Sequence, residues 1–181
     1  MLEVLIATLV MTIGVLGAAN LLVSSKQGNL EALQRTQAAQ FADSLVERMR
    51  VNSLALDVFT NDGGGRTIVA VPATPTSCTG GCTRDELALF DLDEVTQATF
   101  GQGELLAGAP IGGLTDPTIC VLGPAGGNGF YTVAIAWRGL SRLSNPTSSA
   151  CGQNSGRYGS GADADTFRRV LEVTTYIGEP L

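Results

Sequence analysis

The residues that could do chemistry are few and are spread along the chain. Four cysteines stand at Cys78, Cys82, Cys120 and Cys151, and there is no histidine among the 181 residues. Without histidine the usual general base is missing, and with it the Ser-His-Asp triad and most catalytic zinc sites. No histidine could activate a catalytic thiol either. Four cysteines allow three pairings, and an even number suggests disulfides in an oxidising compartment. The expected pairing is Cys78 with Cys82 and Cys120 with Cys151. Chain entropy assigns roughly 2 kcal/mol to the short loop and roughly 3.7 kcal/mol to the long one. A four-cysteine zinc site is the rival, weakened because the second pair is not clustered in sequence.

Carboxylates offer the other chemistry. Asp91, Asp93 and Glu94 could be read as a metal site, but on a helix those positions spread around the axis, so a solvated face is expected. Asn61 and Asp62 sit in the turn cluster NDGGGR and are expected to form a plain loop. Asp163 and Asp165 match no complete calcium motif, and a flexible acidic loop is expected there. No cofactor or metal is expected. The net charge of −6 argues against a nucleic-acid groove.

Glu3 is the remaining candidate, and its setting decides how it reads. It is the single ionisable side chain in the apolar run Leu2 to Val23, LEVLIATLVMTIGVLGAANLLV. As a helix this run is about 33 Å long, enough to cross a hydrocarbon core of about 30 Å. A carboxylate deep in such a span costs about 2.5 kcal/mol or more. Either Glu3 marks the membrane edge and is hydrated, or it waits for a positive charge on a neighbouring subunit. Gly14, Gly17 and Ala18 would permit close approach of another helix, or they merely face lipid.

The helical pattern does not stop at Val23. Leu30, Leu33, Ala38, Phe41, Ala42, Leu45, Val46 and Met49 keep a three-to-four spacing, and no proline appears before Pro72. One continuous helix is expected from about Leu2 to about Asn52. Downstream, Thr83 and Glu86 form a capping-box pattern opening a helix from Arg84 to about Phe100, with Leu87, Phe90, Val95 and Ala98 inward. Strands are expected at 67–71, 118–122, 130–137 and 167–177, with 101–117 irregular and 141–165 a long polar loop. In the strongest strand, Tyr131, Val133, Ile135 and Trp137 make the better core face. An antiparallel sheet has one apolar face to bury, and the stripe from Leu30 to Met49 needs a cover, so an α+β head is expected.

The run MLEVLIATLVMTIGVLG, continuing through AAQFADSLVERMR, resembles the N-terminal helix of the type IV pilins. With CTRDELALFDLDEV and FYTVAIAWRG, it resembles more closely the PilV-type minor pilins, the type IV pilus modification proteins. The resemblance implies a pilin-like fold: a long N-terminal helix, transmembrane in its first half, packed on an antiparallel head. It implies residues 1–24 as the transmembrane and assembly helix and 25–181 as a periplasmic head. It implies a non-enzymatic role in starting pilus assembly from a tip complex, with Glu3 accepting the N-terminal ammonium of an adjacent subunit. The partners it implies are other minor pilins, the major pilin, the inner-membrane assembly platform and a large tip adhesin, with membrane lipid before assembly. The location it implies is the bacterial inner membrane, single-pass, then the pilus tip. Family precursors carry a basic leader cut before a phenylalanine, so a near-mature pilin with a shortened end is the expectation. Some pilins and pseudopilins bind calcium in loops like 160–165. A minor pseudopilin of a type II secretion system is the alternative, and a membrane-tethered periplasmic binding domain is the alternative of another class.

Overall fold

A computed structural model of the chain describes residues 2–178. One helix, α1, runs without interruption over Leu2–Val51. It lacks proline, begins with Glu3 in its first turn and ends with Arg48 and Arg50 in its last, the signs that the helix dipole favours. The chain divides into two compact units, Met1–Gln34 and Arg35–Leu181.

In the second unit α1 buries Ala38, Ala42, Leu45, Val46 and Met49. Leu30 and Leu33, expected on the same covered stripe, are instead exposed and belong to the first unit. The three-to-four spacing identifies a face but not how far along the helix that face is covered.

After α1 a short 3-10 turn, Ser53–Ala55, leads into α2, Leu56–Thr60, which buries Leu56 and Phe59. Asn61 closes α2 in a left-handed conformation, φ 54°. The residues between the expected end of the first helix near Asn52 and the turn cluster at Asn61 thus supply part of the core. The first strand, β1, is Arg66–Ile68, shorter than expected.

Helix α3, Arg84–Thr99, opens with the capping box that Thr83 and Glu86 encode. Glu86 N–H donates to Thr83 Oγ1 at 3.3 Å, and Thr83 N–H donates to Glu86 Oε2 at 2.8 Å. Its inward face is Ala88, Leu92, Val95, Thr96 and Thr99. Of the four residues expected inward, Val95 is buried, Phe90 is half-buried, and Leu87 and Ala98 are exposed. Selecting by apolar type missed the threonines, and Thr99 satisfies its hydroxyl at Val95 O, 2.7 Å.

Residues 101–117 are not wholly irregular. β2, Glu104–Leu106, and β3, Ala109–Ile111, form a two-stranded hairpin. Its two-residue turn, Ala107-Gly108, has positive φ at both positions, 51° and 82°. That is the conformation a tight hairpin turn demands, and an alanine there gives little sequence warning.

The main sheet is antiparallel with order β1-β4-β5-β6, where β4 is Thr118–Leu122, β5 Gly129–Arg138 and β6 Arg168–Ile177. Tyr131, Val133, Ile135 and Trp137 are all buried on its inner face against α1, α2 and α3. The architecture is α+β and pilin-like: a long apolar N-terminal helix followed by an antiparallel sheet. The outer face is also partly covered. Ala134 and Ala136 are fully buried there, in a second cluster with Cys120, Cys151 and Tyr158.

Candidate assembly surface

In the first unit every side chain from Leu2 to Leu30 is exposed, including Leu5, Leu9, Ile13, Leu16 and Leu22. The threonines in this stretch do not make it polar. Thr8 Oγ1 donates to Leu5 O at 3.0 Å and Thr12 Oγ1 to Leu9 O at 2.8 Å, so both hydroxyls are satisfied within the helix. Among the described residues α1 is the one helix long and apolar enough to cross a membrane.

Helical geometry brings the singled-out residues of this unit to one side. At 100° per residue, Glu3, Gly14, Gly17 and Ala18 fall within an arc of about 100°. Glycine inside a helix costs up to about 1 kcal/mol relative to alanine. A Cβ added at Gly14 or at Gly17 would meet nothing within 4 Å. The chain's own packing therefore gives no reason for either glycine. Among the described residues no cation pairs with Glu3, whose side chain is exposed on the apolar surface.

In the second unit the structure pairs all four cysteines. Cys78 and Cys82 close a five-residue loop with Cα atoms 5.3 Å apart, and Cys120 on β4 joins Cys151 at 5.8 Å. The second bond holds the polar stretch 141–165 against the outer face of the sheet. Two side chains that sequence reasoning did not single out complete the fastening. Tyr158, fully buried, donates its hydroxyl to Asp116 O at 3.0 Å and lies 2.8 Å from Thr118 Oγ1. Burial pushes its pKa up. Arg168, also fully buried, donates to Asn145 Oδ1, Ser149 O, Cys151 O and Pro146 O. Burial lowers its pKa, although the nearby Asp165 acts in the opposite direction. An arginine opening a strand carries no sequence mark of such a role. Its five donors suit a loop that leaves several carbonyls to satisfy.

The acidic residues are used locally. Asp91 and Glu94 on α3 hold Arg48 of α1 at 2.6 and 2.7 Å. Partial burial lowers the Arg48 pKa, but these two carboxylates outweigh it and the net direction is up. Asp93 accepts from Thr76 N–H at 2.7 Å, Asp163 pairs with Arg142 at 3.0 Å, and Asp165 accepts from Asn154 N–H at 2.8 Å. Asn61 and Asp62 form the turn after α2. Among the described residues no three metal-ligating side chains are grouped to hold an ion.

Residues 2–23 are thus a bare apolar stretch of helix carrying one carboxylate, and the second unit is a disulfide-fastened α+β head. The family model described as Tt1218-like, type IV pilin Tt1218, matches residues 21–93. The chain is similar to a type IV pilin. The match spans the second part of α1, α2, β1 and most of α3, and it supports a place in the type IV pilin superfamily. No curated protein and no solved structure matches the chain.

Proposed function

We propose that this chain is a non-enzymatic minor pilin that helps start type IV pilus assembly within a tip complex. The observation behind this reading is the first unit of α1: an exposed apolar surface bearing Glu3, with glycines at 14 and 17 that its own fold does not use. Residues 1–24 serve as the transmembrane and assembly helix. Residues 25–181 serve as the head on the periplasmic side of the inner membrane, a location that the two disulfides favour.

The mechanism is exchange of environment. Lipid covers the span before assembly, and helices of other pilins cover it afterwards. A carboxylate moved into such a bundle is tolerable if it is paired. Glu3 accepts the N-terminal ammonium of an adjacent subunit, which sets axial register. Gly14, Gly17 and Ala18 let that neighbour's backbone come close. Partners are other minor pilins and the major pilin, the inner-membrane platform that extracts them, and a tip adhesin.

The test is deletion of the gene and complementation with the full chain or with Glu3→Ala, counting surface filaments and secreted enzymes in parallel. Lost filaments with normal secretion are expected for the deletion, and Glu3→Ala should not restore them although its head folds. Lost secretion with normal filaments would move the protein to a secretion machine. Normal piliation with Glu3→Ala would remove the pairing role.

A further inference from the structure

The two disulfides of the head sit in opposite surroundings. Cys120 and Cys151 are 5% and 6% exposed and lie in the cluster with Ala134, Ala136 and Tyr158. Their bond joins positions 31 residues apart. Cys78 and Cys82 are half-exposed, belong to neither core cluster and stand only 4 positions apart. Ser77, Thr79, Gly80 and Gly81 around them are exposed. A Cβ added at Gly80 or at Gly81 would meet nothing within 4 Å, so this face of the loop is open to an approaching reagent.

The short bond is also not what holds its own segment. Before the loop, Thr76 N–H donates to Asp93 Oδ2 on α3 at 2.7 Å. Within it, Gly81 N–H donates to Cys78 O at 3.2 Å. After it, the capping box of Thr83 and Glu86 starts α3, and Asn52 Nδ2 donates to Arg84 O at 2.9 Å. None of these hydrogen bonds passes through a sulfur atom. With the disulfide open, both ends of the loop stay fastened to the head and the two thiols stay close enough to pair again.

We infer that Cys78–Cys82 is a reversible redox site, which exchanges with a dithiol while Cys120–Cys151 stays oxidised. Exchange needs a thiolate to reach a sulfur atom, and exposed disulfides are the labile ones for that reason. A thiolate of the dithiol attacks one sulfur and forms a mixed disulfide as the Cys78–Cys82 bond breaks. The released sulfur leaves with the electron pair of that bond and takes a proton from solvent. The second thiol of the reagent gives up its proton, attacks the mixed disulfide and frees the other cysteine, which takes up a proton in turn. The head gains two electrons and two protons, and the dithiol loses the same number in becoming a disulfide.

Burial shields Cys120–Cys151 from the reagent and from the two freed thiols alike, so reduction does not reshuffle the pairing. The consequence is local and graded. The loop constraint is lost, the head keeps its fold, and its thermal midpoint falls by about 4–8 °C. The inference rests on the second unit alone and goes beyond the pilin reading.

The experiment uses the full chain in detergent, with dithiothreitol as the dithiol. Samples taken over time are blocked with N-ethylmaleimide and their peptides weighed, while far-ultraviolet dichroism follows the fold. The expected result is labelling of Cys78 and Cys82 together, about 100-fold or more faster than Cys120 and Cys151, with the dichroism unchanged. Transfer to oxidised glutathione should then close the bond again and restore the thermal midpoint. Labelling of all four cysteines at one rate, earlier labelling of Cys120 and Cys151, labelling of Cys78 and Cys82 only as the dichroism is lost, or failure to close again overturns the inference. None of these readouts involves filaments, so their failure leaves the pilin reading standing. A chain that never enters filaments would in turn leave this site standing.

Discussion

Removing each disulfide in turn tests how the head is held together. The Cys120–Cys151 bond spans 31 residues and the Cys78–Cys82 bond spans 4. In the chain-entropy account the first constrains the unfolded chain by about 3.7 kcal/mol and the second by about 1.9 kcal/mol. For a unit of this size, 1 kcal/mol moves the thermal midpoint by about 2–4 °C. Cys120→Ala/Cys151→Ala should therefore lower it by about 7–15 °C, and Cys78→Ala/Cys82→Ala by about 4–8 °C. The structure makes the gap wider than loop length alone. Cys151 lies in the cluster with Ala134, Ala136 and Tyr158, and its carbonyl accepts from the buried Arg168. Loosening the 141–165 stretch would uncover alanines that face nothing else. Cys78 and Cys82 lie in a half-exposed loop with no such cluster. Calorimetry of the full chain in detergent, with far-ultraviolet dichroism to follow the head, gives both midpoints. Equal losses, or a larger loss from the short loop, would refute the account in which the long bond fastens the outer face.

Three further perturbations follow from named contacts. Tyr158→Phe removes a hydroxyl bonded to Asp116 O and Thr118 Oγ1 and should destabilise the head by about 1–2 kcal/mol in urea unfolding. Because burial raises the Tyr158 pKa, its contribution is fully present below the ordinary tyrosine value of 10.0 and is lost as pH rises through the folded value. The wild-type head should lose stability there, and Tyr158→Phe should flatten that limb. The Thr83 backbone and hydroxyl hold the Glu86 carboxyl below its usual value of 4.5. The capping interaction is thus present above 4.5 and fades as pH falls through the folded value, and Glu86→Gln should remove that acid dependence from an unfolding series. Gly14→Leu/Gly17→Leu should leave the head's midpoint unchanged, since a Cβ at either site would meet nothing within 4 Å, yet reduce filament incorporation at least tenfold. Normal incorporation would mean that both glycines merely face lipid.

Much of this molecule was legible because long-period patterns fixed it. The apolar run from Leu2 to Val23, the spacing from Leu30 to Met49 and the absence of proline specify one helix, and α1 is one helix. The alternation of Tyr131, Val133, Ile135 and Trp137 specifies the inner face of β5, and all four are buried. The Thr83–Glu86 pair specifies the start of α3, where a four-residue pattern suffices. What was not legible depends on contacts between distant segments. Leu56 and Phe59 occupy a five-residue helix too short to show a period. The turn at Ala107-Gly108 lacks the asparagine or aspartate that would announce it. Ala134 and Ala136 look like the weaker face of their strand until Cys151 and Tyr158 arrive from a polar loop to cover them.

The same division separates what the two units can say about function. Several residues of the head are accounted for within it: the four cysteines pair with one another, and Arg48, Arg142 and Arg168 meet partners inside the unit. At Gly159 a Cβ would stand 2.1 Å from Asp163 O, so that glycine is spoken for by the fold. At Gly14 and Gly17 a Cβ would meet nothing. Under the proposed function, these residues serve something outside the chain: glycines cost a helix stability, and a carboxylate inside a span costs solvation. In that reading a neighbouring helix uses both, the glycines by close approach and the carboxylate by pairing. That joint requirement is why the assembly reading rests on Glu3, Gly14 and Gly17 together rather than on hydropathy.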